Sequence, residues 1–304
     1  MKLRNKYTWM GALFIASVAG GVVACSSSDD NNGGTNDGKD AGPGQDGGGT
    51  NDDGGGQEPA SKKSGSVSVG NFILSGRVIS LASAGFSDAT DLPDQSGTCQ
   101  KSTEGACTIV KCGTITSGDA GAPKPVSAGA VEVSGGDISP TIKLEPKSDN
   151  TYEPVNGATP LWKGGEDISI KAAGSASGVG AFEKTLKAPP TIAISDVGQT
   201  IDLTKALEVS WTFPGAAGGD VVAAVSTASK DGSVSVACKA GMGDKKVTLP
   251  ASALGNLPKG QGFFSVSAGS SELIKVSDYT VNVTATSSAK RQDGSGASGN
   301  VTLQ

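Results

Sequence analysis

The amino-acid sequence predicts an all-β fold: two antiparallel β-sandwich domains in series behind a leader and a polar tether. Three observations carry that expectation. Apolar residues alternate with Ser, Thr, Asn and Lys at period two in run after run, which places one face of each run in a core and the other in water. Clusters of Gly, Asp and Lys separate the runs, as turns do in sandwiches. Only Pro250 to Leu257 has a helical pattern, and its leading Pro and internal Gly limit it to a turn or two between strands.

The first element is residues 1–24. Lys2, Arg4 and Lys6 form a basic start, and Tyr7 to Val23 follow without a charge. That is the layout of a secretory signal peptide. The apolar stretch is short of the ~20 residues that a spanning helix needs, and Gly11, Gly20 and Gly21 weaken it as a helix. Its exit, Val22-Val23-Ala24-Cys25, resembles the lipobox of bacterial lipoproteins. The resemblance implies cleavage before Cys25 and lipidation of its thiol, and several acyl chains make a stable anchor where one is marginal. It also implies an exported protein lipid-anchored to the cell envelope. In Gram-negative lipoproteins Ser at the next position, here Ser26, permits transfer to the outer membrane.

Residues 25–64 are the tether. Beyond Cys25 they hold no aliphatic or aromatic residue other than Ala41 and Ala60, so they cannot offset the entropy cost of ordering and are expected to be disordered. A Gly-rich coil of this length spans about 35 Å r.m.s.. Asn36-Asp37-Gly38 and Asn51-Asp52-Asp53-Gly54 contain calcium-loop letters, but no window has the D-x-[DN]-x-[DN]-G register between helices. Residues 25–60 carry seven Asp and one Glu against the single Lys39, in a chain of net charge -5. The acidic excess therefore lies in the tether, and the body beyond it is close to neutral. A neutral body has no basic stripe for nucleic acid, which is excluded as a partner.

Residues 65–188 form the expected N-terminal β domain. Val67 and Val69, Val131 and Val133, Ile142 and Leu144, and Ile168 and Ile170 alternate with polar residues. Ser134 to Asp137 and Lys163-Gly164-Gly165 are turn clusters. Lys187-Ala188-Pro189-Pro190 is the internal boundary, since two prolines stiffen the chain and stop strand pairing. Residues 189–304 form the second domain, with runs at Leu207–Phe213, Val234–Cys238, Phe264–Ala268 and Tyr279–Ala285. Lys230-Asp231-Gly232 and Ala240 to Asp244 are its turns, and Gly299–Leu303 returns as an edge strand. Leu207-Glu208-Val209-Ser210-Trp211 is similar to an early core strand with a buried Trp, and on it the second domain resembles an immunoglobulin or fibronectin type III sandwich. The Cys pair of true immunoglobulin domains is incomplete, because Cys238 stands alone in this half.

The chain as a whole resembles the lipoproteins common in myxobacteria and related bacteria. Beside the lipobox and tether, the landmarks are Pro160-Leu161-Trp162 before Gly164-Gly165, Ala181-Phe182, Ala188-Pro189, Leu207 to Thr212, Val236-Ala237-Cys238 and Thr248 to Ala251. The resemblance implies an envelope location and a β fold, and it carries no activity.

Four cysteines follow Cys25. Cys99, Cys107 and Cys112 are the disulfide candidates in an oxidising compartment. Cys99–Cys107 and Cys99–Cys112 both fit a hairpin. Cys107 and Cys112 lie five apart on one strand and face opposite ways, so they do not bridge each other. Cys238 is in phase with Val234 and Val236 and reads as a buried free thiol. C-x7-C-x4-C with no His is not a zinc pattern, and no metal or cofactor is expected.

The chain contains no His, which excludes Ser-His-Asp and Cys-His catalysis and His-ligated metals. Ser287 to Lys290 matches S-x-x-K and Ser148-Asp149-Asn150 matches S-D-N. They occur in reversed order without K-T-G, and Ser287 opens no helix, so both read as coincidence. Gly294-x-Gly296-x-x-Gly299 has dinucleotide-loop letters but precedes no helix. Glu145, Glu153, Glu166, Asp167 and Glu183 are the carboxylates from which a glycosidase pair would come, and their ordinary reading is solvated strand faces and turns. Trp211 and Phe264 share phase with aliphatics and belong to the core. Tyr152 and Trp162 lie near turns, where they are either a stacking surface for a glycan or plugs packed beneath a loop. The functional expectation is a non-catalytic, lipid-anchored envelope lipoprotein that presents its sandwiches to an envelope protein or glycan. The alternatives are a carbohydrate- or cell-wall-binding module and a carboxylate-based glycan hydrolase.

Overall fold

The computed structural model describes residues 62–74, 76–91, 99–113, 122–215 and 218–304. The leader, Cys25 and the tether through residue 61 lie outside the described residues, and the tether's last two residues, Lys63 and Ser64, belong to the first strand, so the folded part begins slightly before the expected bound. Strands are, in order, β1 (Lys63–Leu74), β2 (Arg77–Asp88), β3 (Cys99–Glu104), β4 (Cys107–Gly113), β5 (Lys124–Pro125), β6 (Val131–Gly135), β7 (Ile138–Leu144) and β8 (Val155–Gly157). Then follow β9 (Asp167–Ala172), β10 (Phe182–Lys187), β11 (Ala193–Ile194), β12 (Thr200–Ile201), β13 (Leu207–Thr212), β14 (Asp220–Ser229), β15 (Gly232–Gly241) and β16 (Lys246–Leu249). One helical turn, α1 (Ala251–Leu254), precedes β17 (Gly260–Val276), β18 (Tyr279–Ser288) and β19 (Gly299–Leu303). The protein is all-β, and every run with period-two alternation forms a strand. Helix α1 sits where the helical pattern was expected, with Pro250 at its N-cap in extended conformation.

Among the described residues one large sheet runs β3-β4-β15-β14-β17-β18-β1-β2-β5, with β8 beside β2 and with β19 between β17 and β12. A four-stranded sheet, β10-β9-β6-β7, covers one part of it, and a three-stranded sheet, β11-β13-β16, belongs to the other. Two sandwich cores result. The first contains Val67, Val69, Val131, Val133, Ile168, Ile170, Tyr279, Val281 and Val283. The second contains Ile109, Ile192, Ile194, Val209, Trp211, Val221, Val225, Val236, Phe264 and Val266.

The chain changes core at the diproline, from Ala188 in the first to Ile192 in the second. Both prolines are buried there, not exposed in a linker. Elsewhere the halves interleave. Strand β4 gives Cys107 and Ile109 to the second core, and β18 gives Tyr279 to Ala285 to the first. Strand β1 pairs in parallel with β18. Strand β17 spans both sandwiches, with Phe264, Val266 and Ala268 in the second core and Ile274 and Val276 against the first. The two sandwiches therefore share one continuous sheet and form one compact unit from Ser61 to Gln304. Strand β19 is also better integrated than an edge, since it pairs with β17 on one side and β12 on the other.

The cysteines correct one expectation. Cys238 is not a free thiol: it is bonded to Cys107, its direct partner in the β4–β15 ladder. Both are buried in the second core, so Cys238 faces inward as its phase predicts, but bonded and not free. Sequence spacing gives no view of a residue 131 positions away. Cys99 pairs with Cys112, opposite it across the β3–β4 hairpin. Cys107 and Cys112 point to opposite faces of β4, and each bonds to a different neighbouring strand.

Candidate functional site

Among the described residues the first sandwich carries a groove of about 340 Å³. One wall is residues 137–143, and the other is residues 155–157 with residues 80–82 behind them. Consecutive residues of both parities line each wall, so the groove runs along strand edges and not over a sheet face. Strand β7 is the last strand of the four-stranded sheet, with β6 as its neighbour. Strand β8 pairs with β2 through Ser80↔Gly157, Leu81↔Asn156 and Ala82↔Val155. Among the described residues the groove thus lies between the free edges of two strands from different sheets.

Its floor is the segment from Thr159 to Leu161, held by hydrogen bonds that begin in β1. Asn71 continues the inward phase of Val67 and Val69 and is 4% exposed. Its Oδ1 accepts from the Leu161 backbone N–H at 2.9 Å, and its Nδ2 donates to the Trp162 carbonyl at 3.4 Å. The Leu161 carbonyl accepts from Asp137 N–H at 2.8 Å, which ties the floor to the start of β7. Trp162 then turns inward. Its Nε1–H donates at 3.0 Å to both the Pro189 carbonyl and Ser287 Oγ, and Ser287 Oγ donates to the same carbonyl at 2.8 Å. A Cβ at Gly157 would crowd the Ser80 hydroxyl across the β2–β8 pairing.

The lining is apolar with neutral polar groups between. Ile138, Pro140, Ile142, Val155, Pro160 and Leu161 supply the apolar surface, and Val155 is 39% exposed. Its two charged residues are both ion-paired: Asp137 with Lys163 at 3.4 Å and Lys143 with Glu132 at 2.8 Å. The Glu132 hydrogen bond and charge raise the Lys143 ammonium above its usual value, and Lys143 lowers the Glu132 carboxyl in return.

Tyr152 and Trp162 are not a stacking surface. Tyr152 is 8% exposed and Trp162 is 2% exposed. The Tyr152 hydroxyl accepts from Ala128 N–H and donates to the Gly129 carbonyl, both at 2.8 Å, and its ring meets Phe86 edge-on at 5.7 Å. Each ring fills a core beneath a loop, and its polar end satisfies backbone groups that burial would otherwise strand. Nearness to turn residues signals a loop, but it does not tell which way a ring points.

The five carboxylates are dispersed into local roles. Glu153 pairs with Lys147 at 3.1 Å, Asp167 with Lys187 at 2.7 Å and Glu183 with Lys171 at 3.8 Å. Glu145 lies exposed beside Lys143. Glu166 closes the Lys163-Gly164 turn by accepting both backbone N–H groups, at 3.0 and 2.6 Å. Burial pushes its carboxyl up, but those backbone donors outweigh it and hold the group below the usual range. Ser287 of the S-x-x-K sequence is fully buried in the Trp162 node.

Sequence reasoning missed Asn71, Ser80 and Ser287 as organisers of this region. The signal for Asn71 was present: a polar residue on the apolar phase of a strand needs a buried partner. No group of acidic or sulfur side chains suited to a metal ion occurs among the described residues. No known family profile matches the chain, and no curated protein is significantly similar to it.

Proposed function

We propose that the protein is a lipid-anchored envelope lipoprotein whose body is a non-catalytic binding module, with the β7–β8 groove as its ligand site. The observation that carries this reading is a neutral groove flanked by two strand edges that are unpaired among the described residues. A free edge offers backbone N–H and C=O groups to an extended chain, and alternate side chains then meet the apolar wall, so the ligand class is a polypeptide segment docking as an added strand. Anchoring rests on the lipobox at Cys25 and on the long acidic tether that would hold the body off the membrane. The pairing of all four body cysteines supports folding in an oxidising compartment. The non-catalytic reading is supported by the absence of His from the chain and by the local engagement of the carboxylates.

The test uses the full chain in its own host, with a photo-crosslinking residue at Asn156 and, as control, at Ser233 on the other sandwich. A polypeptide adduct is expected from Asn156 alone, and it should disappear with Ile142→Lys. Equal adducts from both positions, or none from Asn156, would remove the groove reading. In the same cells Cys25→Ser should shift the protein out of the membrane fraction. Retention of the mature chain there would remove the anchor reading.

A further inference from the structure

The two disulfides link three adjacent strands, β3, β4 and β15, but they occupy unlike places. Cys107–Cys238 is buried in the second core and joins segments 131 residues apart. Cys99–Cys112 lies on the opposite face. Cys99 is exposed, Cys112 is half-buried, and the bond spans 13 residues of a hairpin that the Gly105-Ala106 turn already closes. Strand β3 ends the large sheet, with β4 as its neighbour among the described residues. From Cys99 to Thr103 its residues are exposed, and only Glu104 is half-buried. No apolar burial therefore holds β3. It is held by its ladder with β4, by the Ser252 hydroxyl donating to Glu104 and by the covalent bond.

From this contrast we infer that Cys99–Cys112 is a thiol–disulfide exchange site that latches β3 over the edge of β4, and that a dithiol reductant opens it while Cys107–Cys238 stays closed. A reductant thiolate attacks one exposed sulfur and forms a mixed disulfide, with the other cysteine leaving as a thiolate that takes up a proton. The second thiol of the reductant then displaces the remaining cysteine. The products are two cysteine thiols and one oxidised reductant, a two-electron, two-proton exchange. Exchange requires access to sulfur, which the outer face allows and the core denies. Once the latch opens, β3 has too little side-chain burial to stay. Strand β4 remains, because Cys107 and Ile109 are in the core and β15 pairs with it on its far side. The result is a fresh, ordered strand edge whose exposure depends on redox state.

The test is a titration of the folded full chain with dithiothreitol, quenched with an alkylating tag and mapped cysteine by cysteine, so that Cys25 is read separately. Cys99 and Cys112 should be tagged together at reductant concentrations that leave Cys107 and Cys238 untagged. Amide hydrogen exchange in 99–104 should then rise at least about tenfold while 107–113 keeps its protection. The Cys99→Ser/Cys112→Ser variant should show the same exchange pattern without reductant and should melt cooperatively near the parent. Simultaneous tagging of all four cysteines would overturn the proposal. So would continued protection of β3 after its bond is cut, or global unfolding of the double variant.

Discussion

The first core and the second core share a sheet, yet their loops are fastened by different chemistry. Around the first core the connecting segments are pinned by polar side chains: Asn71 to Leu161 and Trp162, Trp162 to Pro189 and Ser287, and Tyr152 to Ala128 and Gly129. Around the second core a buried disulfide ties two strands, the Trp211 Nε1–H donates to the Met242 carbonyl at 3.0 Å, and a charged side chain, Arg291, donates to the Asp196 carboxylate at 2.6 Å and the Val197 carbonyl at 3.2 Å. The difference follows from the sequence between the strands. The strands of the second core are joined in part by tight turns such as Lys230-Asp231, and its Trp lies on a strand. The first core must fold the long segment from Glu145 to Glu166 back over itself, and that segment contributes only the short β8. A segment without a ladder of its own needs side chains to satisfy its backbone.

The sharpest way to break this contrast is Trp162→Ala. It removes a nearly fully buried ring from the first core and leaves Ser287 as the remaining donor to the Pro189 carbonyl. Denaturant unfolding should show a loss of about 3–5 kcal/mol, with amide exchange rising first in residues 155–166. A loss below about 1 kcal/mol would mean that the ring is peripheral and that the segment is held by something else.

That same ring marks the limit of what the sequence made legible. Strands carrying Val, Ile or Phe on one phase were readable, because a period of two shows directly which face is buried. Strands β2 and β14 were harder to see, since Ala82, Ala84 and Ala223 occupy inward positions and alanine does not advertise burial. The sharing of one sheet by two sandwiches was not legible at all. Pairing between β1 and β18, or between β4 and β15, is fixed by packing across more than a hundred residues and leaves no local pattern. The groove escaped for the same reason: a free edge is a property of what fails to pair. In the Trp162 node, Ser287 was noticed only as part of a chance S-x-x-K, when its position on the inward phase of β18 was the physical clue.

A milder change separates hydrogen bonding from packing in the first core. Tyr152→Phe keeps the ring against Phe86 and removes the hydroxyl shared by Ala128 N–H and the Gly129 carbonyl. Leaving these groups without their partner should cost about 1–3 kcal/mol, with faster amide exchange at Ala128. A neutral result would mean that water replaces the hydroxyl, and that the polar fastenings of the first core matter less than their rings.

The smallest expected effect concerns a device common to both halves. Asp88, Asp149, Asp202 and Asp293 each accept, through Oδ1, from the backbone N–H and the hydroxyl of the Thr or Ser two residues on. The first two lie beside first-core strands and the last two beside second-core strands. Asp202 adds an ion pair with Lys205 at 3.0 Å. Its carboxyl is held at about 2, first by the Thr204 hydroxyl and then by Lys205. A carboxyl held below its ordinary value of 3.8 stabilises the fold above that value, and the contribution fades as pH falls through about 2. Asp202→Asn should therefore melt slightly below the parent at pH 7, and the gap should close between pH 4 and pH 2. A gap that persists at pH 2 would assign the effect to turn geometry alone. The four turns would then be equivalent, and the second core would owe nothing to the extra Lys205 charge.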